Sequence, residues 1–71
     1  MNMNIDQTRL AILTMELEVK VKEYKKLCSI LDEMKKENIS PNDGKLITLR
    51  NLFENNYNDI AEINKEISSI S

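Results

Sequence analysis

The stretch that decides the fold runs from Leu46 to Ile70 and reads LITLRNLFENNYNDIAEINKEISSI. Its apolar residues recur at alternating steps of three and four, the spacing of a helix that packs lengthwise on another helix. The series consists of Leu46, Leu49, Phe53, Asn56, Ile60, Ile63, Ile67 and Ile70. Asn56 is its one polar member. This stretch predicts a long amphipathic helix with a single seam, and it indicates packing and not chemistry.

The first half of the chain carries a matching seam. Its members are Leu10, Leu13, Leu17, Val21 beside Lys20, Tyr24, Leu27, Leu31 and Met34. Apolar and polar residues alternate from Met15 to Lys22, which is also typical of a half-buried strand. We favour a helix, because Glu16 and Lys20 are spaced four apart with the acid first, as are Glu18 and Lys22. No other stretch offers a strand to pair with.

The connection between the helices has clear end signals. Lys35 and Lys36 suit the negative end of a helix dipole. Asn38 suits the left-handed position after the helix, followed by the apolar contact of Ile39 with Met34 that accompanies a Schellman ending.

The second helix has two candidate starts. Ser40 can cap it with Pro41 in the first helical position, or Asp43 can cap it with Gly44 in that position. Because the connection is short, the helices should be antiparallel neighbours. We therefore predict one all-α domain over 1–71, an antiparallel, coiled-coil-like two-helix hairpin. Its helices should span about 6–37 and 41–69, with Asp6 as the first cap and 1–4 frayed.

The two seams suggest one register. Pairing Met34 with Leu46 gives residue numbers that add up to 80, and the same total holds along both seams. In this register Asn56 faces Tyr24, whose hydroxyl group can satisfy the amide by a hydrogen bond. A single buried Asn of this kind sets the register of a helix pair at a cost in stability.

Composition excludes several classes of protein. The 71 residues include no His, one Cys and one Gly, and the net charge is −2. The lone Cys28 rules out an internal disulfide, and we interpret it as a small, half-buried residue and not as a reactive thiol. Nothing in the sequence indicates a signal peptide or a membrane span, so we expect a cytoplasmic location. Lys and Glu alternate, which argues against nucleic-acid binding.

Catalytic and metal-binding patterns are also missing from the sequence. Without His the chain lacks the commonest general base and metal ligand, and the carboxylates fall on predicted solvated faces. No Gly-rich phosphate loop or nucleophile elbow occurs. We therefore expect no catalytic residues, no cofactor and no metal, and we expect a protein-binding role.

The candidate binding residues are the apolar ones that the hairpin leaves uncovered. Ile12, Met15 and Val19 follow one another at steps of three and four on the face of the first helix opposite its seam. Such spacing is typical of residues that dock on another helix or in a groove. The complete predicted partner-binding set is Ile5, Thr8, Ile12, Met15, Val19, Leu52 and Tyr57.

Features of the helix ends and of the second seam support a resemblance. The first helix ends at Lys35-Lys36-Glu37-Asn38, the turn is Ser40-Pro41-Asn42-Asp43-Gly44, and the second seam contains Phe53 and Ile60. In these features the chain resembles the small co-chaperones of the needle subunit in bacterial type III secretion (the YscE and PscE type). The likeness is architectural and extends over nearly the whole chain.

The resemblance implies a cytosolic bacterial protein that pairs with a tetratricopeptide-like chaperone and keeps the needle subunit soluble before export. One alternative is a small homodimeric regulator, a four-helix bundle that inhibits an enzyme or a transcription factor. Another is a structural coiled-coil component of a phage or a secretion machine. For the co-chaperone, the resemblance implies a mechanism that buries apolar helix faces, with no catalysis.

Overall fold

The computed structural model describes residues 3–70, with side chains from residue 5 onwards. It contains two helices, α1 (Met3–Lys36) and α2 (Gly44–Ile70), which pack on each other as an antiparallel hairpin. The molecule measures 57 × 16 × 13 Å. Its length is therefore about that of its longer helix, and it is hardly more than one helix thick. This confirms the predicted all-α, two-helix fold.

α1 begins earlier than predicted. The sequence suggested a start near residue 6 with Asp6 as the cap, whereas Asp6 lies inside the first turn of a helix that begins at Met3. An acidic side chain in the first turn stabilises a helix through its dipole even where it is not the cap. Of the four residues expected to fray, residues 3 and 4 are helical, and residues 1 and 2 lie outside the described residues. The disputed segment 15–22 is helical, as predicted.

The end of α1 is the predicted Schellman motif. The amide of Ile39 donates to the carbonyl oxygen of Met34 at 3.3 Å, and the amide of Asn38 donates to that of Lys35 at 3.2 Å. Asn38 adopts a left-handed conformation with φ 55°. These bonds satisfy carbonyl groups that the helix end would otherwise leave without partners.

Asp43 caps α2, so the second of the two candidate starts is the observed one. Its side-chain Oδ1 accepts a hydrogen bond from the amide of Lys45 at 2.8 Å. Ser40 instead closes a turn over Pro41, where its carbonyl oxygen accepts the amide of Asp43 at 2.9 Å. The predicted start at residue 41 is therefore three residues too early, because Ser40 and Pro41 build the turn and not the first helical turn.

The core is one row of side chains along the seam. The positions buried most deeply lie fourteen residues apart on α1 and seven residues apart on α2, and the other seam positions are mostly half-buried. These deepest residues are Leu13, Leu27, Leu49, Asn56 and Ile63. Both predicted seams are therefore the faces that meet.

The register differs from the prediction. Asn56 binds the backbone of Lys20, and the ring of Tyr24 meets Phe53 edge-on with centroids 5.8 Å apart. The residue numbers of these two pairs add up to 76 and 77 and not to 80, a shift of about one helical turn. A repeat of three and four fits either pairing, so the apolar pattern could not distinguish them.

Truncation of the seam should destabilise the hairpin strongly. We expect Leu49→Ala to lower the free energy of unfolding by about 2–5 kcal/mol, because Leu49 is only 2% exposed and its loss leaves a cavity. The matched control Ile47→Ala removes an isoleucine that is 51% exposed and should change it by less than about 0.5 kcal/mol. Urea unfolding followed by circular dichroism measures both. Equal losses would contradict the seam as the source of stability.

The left-handed residue at the end of α1 provides a test of the turn. Asn38→Gly should stabilise the hairpin by about 0.5–1 kcal/mol, because glycine adopts positive φ without a steric penalty. Asn38→Val should destabilise it, since a β-branched residue tolerates this conformation least. Thermal unfolding of the three proteins should therefore rank Gly above Asn and Asn above Val.

Candidate functional site

The first candidate surface is a row of exposed side chains on α1, which we call the α1 stripe. Its members share one face of the helix and are all exposed, with Met15 at 65%. They are Ile5, Thr8, Ile12, Met15 and Val19. Because α2 packs on the opposite face of α1, the apolar members of this row stay exposed among the described residues.

The N-terminal part of the α1 stripe is shaped as a shallow depression. Ile5, Thr8, Arg9 and Ile12 line it. The depression combines apolar walls with one positive charge at its edge. This arrangement suits an apolar side chain from a partner helix that carries a negative charge beside it.

The other two predicted binding residues lie away from the α1 stripe. Leu52 lines a groove on one side of the seam together with Lys20 and Glu23. Tyr57 lines a separate groove with Val21. The seven predicted residues therefore form one row and two isolated positions instead of one continuous surface.

The groove around Tyr57 is a feature that the sequence interpretation missed. It is an open space of about 580 Å³ whose walls are mostly apolar. Its lining includes Val21, Tyr24, Phe53, Tyr57 and Ile60. Tyr24 was assigned to the seam, yet it is 48% exposed because its ring leans on the edge of Phe53 and its other side faces outwards. The sequence feature that could have indicated this groove is Tyr57, a second aromatic residue four positions after Phe53.

A polar cluster interrupts the seam at Asn56, which is 3% exposed. Its Nδ2 donates to the carbonyl oxygen of Lys20 at 3.0 Å and to Oε2 of Glu23 at 3.2 Å. Lys20 Nζ in turn lies 2.9 Å from Asp59 Oδ2 and 3.3 Å from Glu23 Oε2. Four polar side chains from both helices thus meet at the middle of the hairpin.

The predicted hydrogen bond between Asn56 and Tyr24 is wrong. The Nδ2 atom of Asn56 binds Lys20 and Glu23, while its buried Oδ1 has no hydrogen-bond partner among the described residues. An acceptor buried without a partner costs about 1–3 kcal/mol. The amide therefore specifies the pairing of the helices and lowers their stability.

The polar cluster changes the pKa of Lys20. The hydrogen bond to Asp59, followed by that to Glu23, raises the pKa of Lys20 above its ordinary value. A raised lysine pKa means that the charged form is favoured in the folded chain. This contribution is present at neutral pH and is lost only as the pH rises through the pKa of the folded state. The predicted partner of Lys20 was Glu16, which instead has no ion pair within residues 5–70.

Cys28 is half-buried, as predicted. Hydrogen bonding with its side chain raises the pKa of Tyr24. The thiol thus lies one helical turn beyond the tyrosine, with which it interacts. It is a packing neighbour of the ring.

Within residues 3–70, His, Cys, Asp and Glu side chains form no group of three or more that could hold a metal ion. Neither helix, over the same residues, has an apolar stretch long enough to cross a bilayer. Comparisons with protein families, with curated proteins and with solved structures found no match.

The cost of Asn56 can be measured. We expect Asn56→Leu to raise the free energy of unfolding by about 1–2 kcal/mol, because it removes the unpartnered oxygen and buries apolar surface. The neighbouring Asn55 is exposed, so Asn55→Leu is a matched control that should change it by less than about 0.5 kcal/mol. Urea unfolding measures both, and an Asn56→Leu variant less stable than the parent would contradict this account.

Proposed function

We propose that this chain is a non-catalytic, protein-binding helical hairpin that acts through the α1 stripe. The observation that carries the proposal is the exposure of four large apolar residues in register on one helix face. These are Ile5, Ile12, Met15 and Val19. An apolar row at helical spacing is the usual contact surface for a partner helix or a helix-lined groove.

The small core supports a need for a partner. Only four apolar residues among those described are buried, and all lie in the single seam. Below about 70–80 residues a single core rarely supplies more than about 3–5 kcal/mol, and such chains commonly gain stability by association. Covering the α1 stripe would add a second row of buried contacts to the one that the hairpin already has.

The partner that the resemblance of the sequence implies is a helical-repeat chaperone. In this proposal the chain is a bacterial, cytoplasmic co-chaperone that pairs with a tetratricopeptide-like chaperone and keeps a type III secretion needle subunit soluble before export. The hairpin would supply an apolar helix face to the concave surface of the repeats. Binding, and not a chemical reaction, would be the whole of its activity.

A double substitution tests the surface. Met15→Glu combined with Val19→Lys should abolish a complex with the tetratricopeptide-like chaperone and the needle subunit of the same secretion system. Both residues are exposed, so the helical circular dichroism signal should not change. Co-expression followed by size-exclusion chromatography with light scattering measures the complex.

A matched control makes the same two charge changes elsewhere. Asn51→Glu combined with Asn58→Lys alters exposed residues of α2, and this variant should bind as the parent does. A parent chain that forms no complex would refute the co-chaperone assignment. Unchanged binding by the Met15, Val19 variant would refute the α1 stripe as the contact surface.

A second candidate function is that of a small homodimeric regulator that inhibits an enzyme or a transcription factor. The observation that favours it is the distribution of charges beside the α1 stripe, which is complementary to a second copy of the chain.

A further inference from the structure

The α1 stripe has the pattern of a second helical seam. In a heptad repeat, Ile5, Ile12 and Val19 occupy position a, and Thr8 and Met15 occupy position d. Positions a and d of a heptad repeat form the contact row when one helix packs lengthwise on another. Within α1, therefore, one seam faces α2 and a second, shorter seam faces outwards.

The residues that flank an outward seam decide which partner fits. On one side the flanking positions hold Arg9, Glu16 and Glu23, one heptad apart. On the other side they include Ala11 and Glu18. Charges at these positions set the orientation and choice of partner in helix pairs.

Neither Arg9 nor Glu16 is neutralised within the hairpin. Among the described residues the ion pairs involve Lys20, Lys36 and their acidic neighbours, and none involves Arg9 or Glu16. Both side chains are exposed. The flank of the α1 stripe thus presents one positive and one negative charge, two helical turns apart.

We propose that a second copy of this chain covers the α1 stripe in an antiparallel arrangement, with Arg9 of each copy beside Glu16 of the other. Flanking positions on the same side face each other in an antiparallel pair. With Ile12 of one copy against Met15 of the other, the two-fold symmetry creates the Arg9–Glu16 contact twice. This inference rests on one part of the proposed function, the use of the α1 stripe as the binding surface, and it makes a second copy the occupant of that surface when no other partner is bound.

The charges beside the α1 stripe favour this register over the two antiparallel registers shifted by a heptad and over a parallel pair. Sliding one copy by a heptad in one direction places Arg9 against Arg9. Sliding it in the other direction places Glu16 against Glu16 and leaves Arg9 only Glu23, whose carboxylate is already bound by Lys20 and Asn56. A parallel pair places Glu18 of each copy beside Glu23 of the other. Like charges that face each other are destabilising, whereas the proposed arrangement contains none among these residues.

The geometry makes the dimer a row of four helices. Because the α1 stripe faces away from α2, the two α1 helices meet in the middle and the two α2 helices lie outside. In this register the stripes of the two copies overlap from residue 8 to residue 19, about 17 Å, so the interface is smaller than that of a permanent dimer. We expect it to dissociate on dilution, which would free the α1 stripe for another partner.

Reversal of charge tests the proposal. Sedimentation equilibrium over a wide range of concentrations should show the parent chain shifting from its mass of 8.3 kDa towards twice that mass. Arg9→Glu and Glu16→Arg should each weaken dimerisation by about 10–30-fold, because two attractive contacts become repulsive. The double variant Arg9→Glu/Glu16→Arg should restore it to within about threefold of the parent.

Matched controls carry the same charge changes on the outer face of α2. Lys65→Glu and Glu62→Arg alter exposed residues and should leave dimerisation unchanged. Circular dichroism of every variant confirms that the hairpin is still folded.

Three results would overturn the proposal: a parent chain with the monomer mass at all concentrations, a double variant as weak as the single ones, or controls that weaken dimerisation equally. Its failure is distinguishable from that of the proposed function. A monomeric parent that still binds the chaperone through the α1 stripe would leave that function in place. A dimer without a chaperone complex would leave only the self-association.

Discussion

The seam between α1 and α2 is the interaction on which the rest of this structure depends. It contains all the deeply buried residues described, Leu13, Leu27, Leu49, Asn56 and Ile63. Two helices can bury only one face of each other, so every other face is left to solvent or to a partner. A single seam thus explains both the elongated shape of the chain and the apolar surface that remains exposed.

The middle of that seam is polar. Asn56 reaches the backbone of Lys20 and the carboxylate of Glu23, and Lys20 reaches Asp59 on the other helix. An apolar row alone would allow the helices to slide by a turn, because one layer of leucine and isoleucine resembles the next. The polar cluster makes one alignment better than the others, and the unpartnered oxygen of Asn56 is the energetic cost of that choice.

The α1 stripe and the seam lie on two faces of α1, of which α2 covers one and leaves the other exposed. The seam is filled by α2, whereas the α1 stripe has apolar residues at the same spacing that remain exposed. Arg9 and Glu16 beside it form no ion pair with any residue from 5 to 70. An exposed apolar row of this kind supports the proposal that the chain acts by binding a partner.

Sequence periodicity determined the two helices, their antiparallel pairing, the Schellman ending at Asn38 and the exposed face around Met15. These features follow from local chemistry and from helical geometry, which a single sequence expresses directly. It did not determine which of two caps begins α2, the alignment of the seams, or the partners of Asn56. For each of these features the sequence pattern allows more than one arrangement, and the arrangements differ only in their three-dimensional contacts. The deciding contacts are the turn closed by Ser40, the hydrogen bond from Asn56 to the carbonyl oxygen of Lys20, and the exposed position of the Tyr24 ring. Tertiary structure decided them, because hydrogen-bond geometry distinguishes arrangements that hydrophobic spacing leaves equivalent.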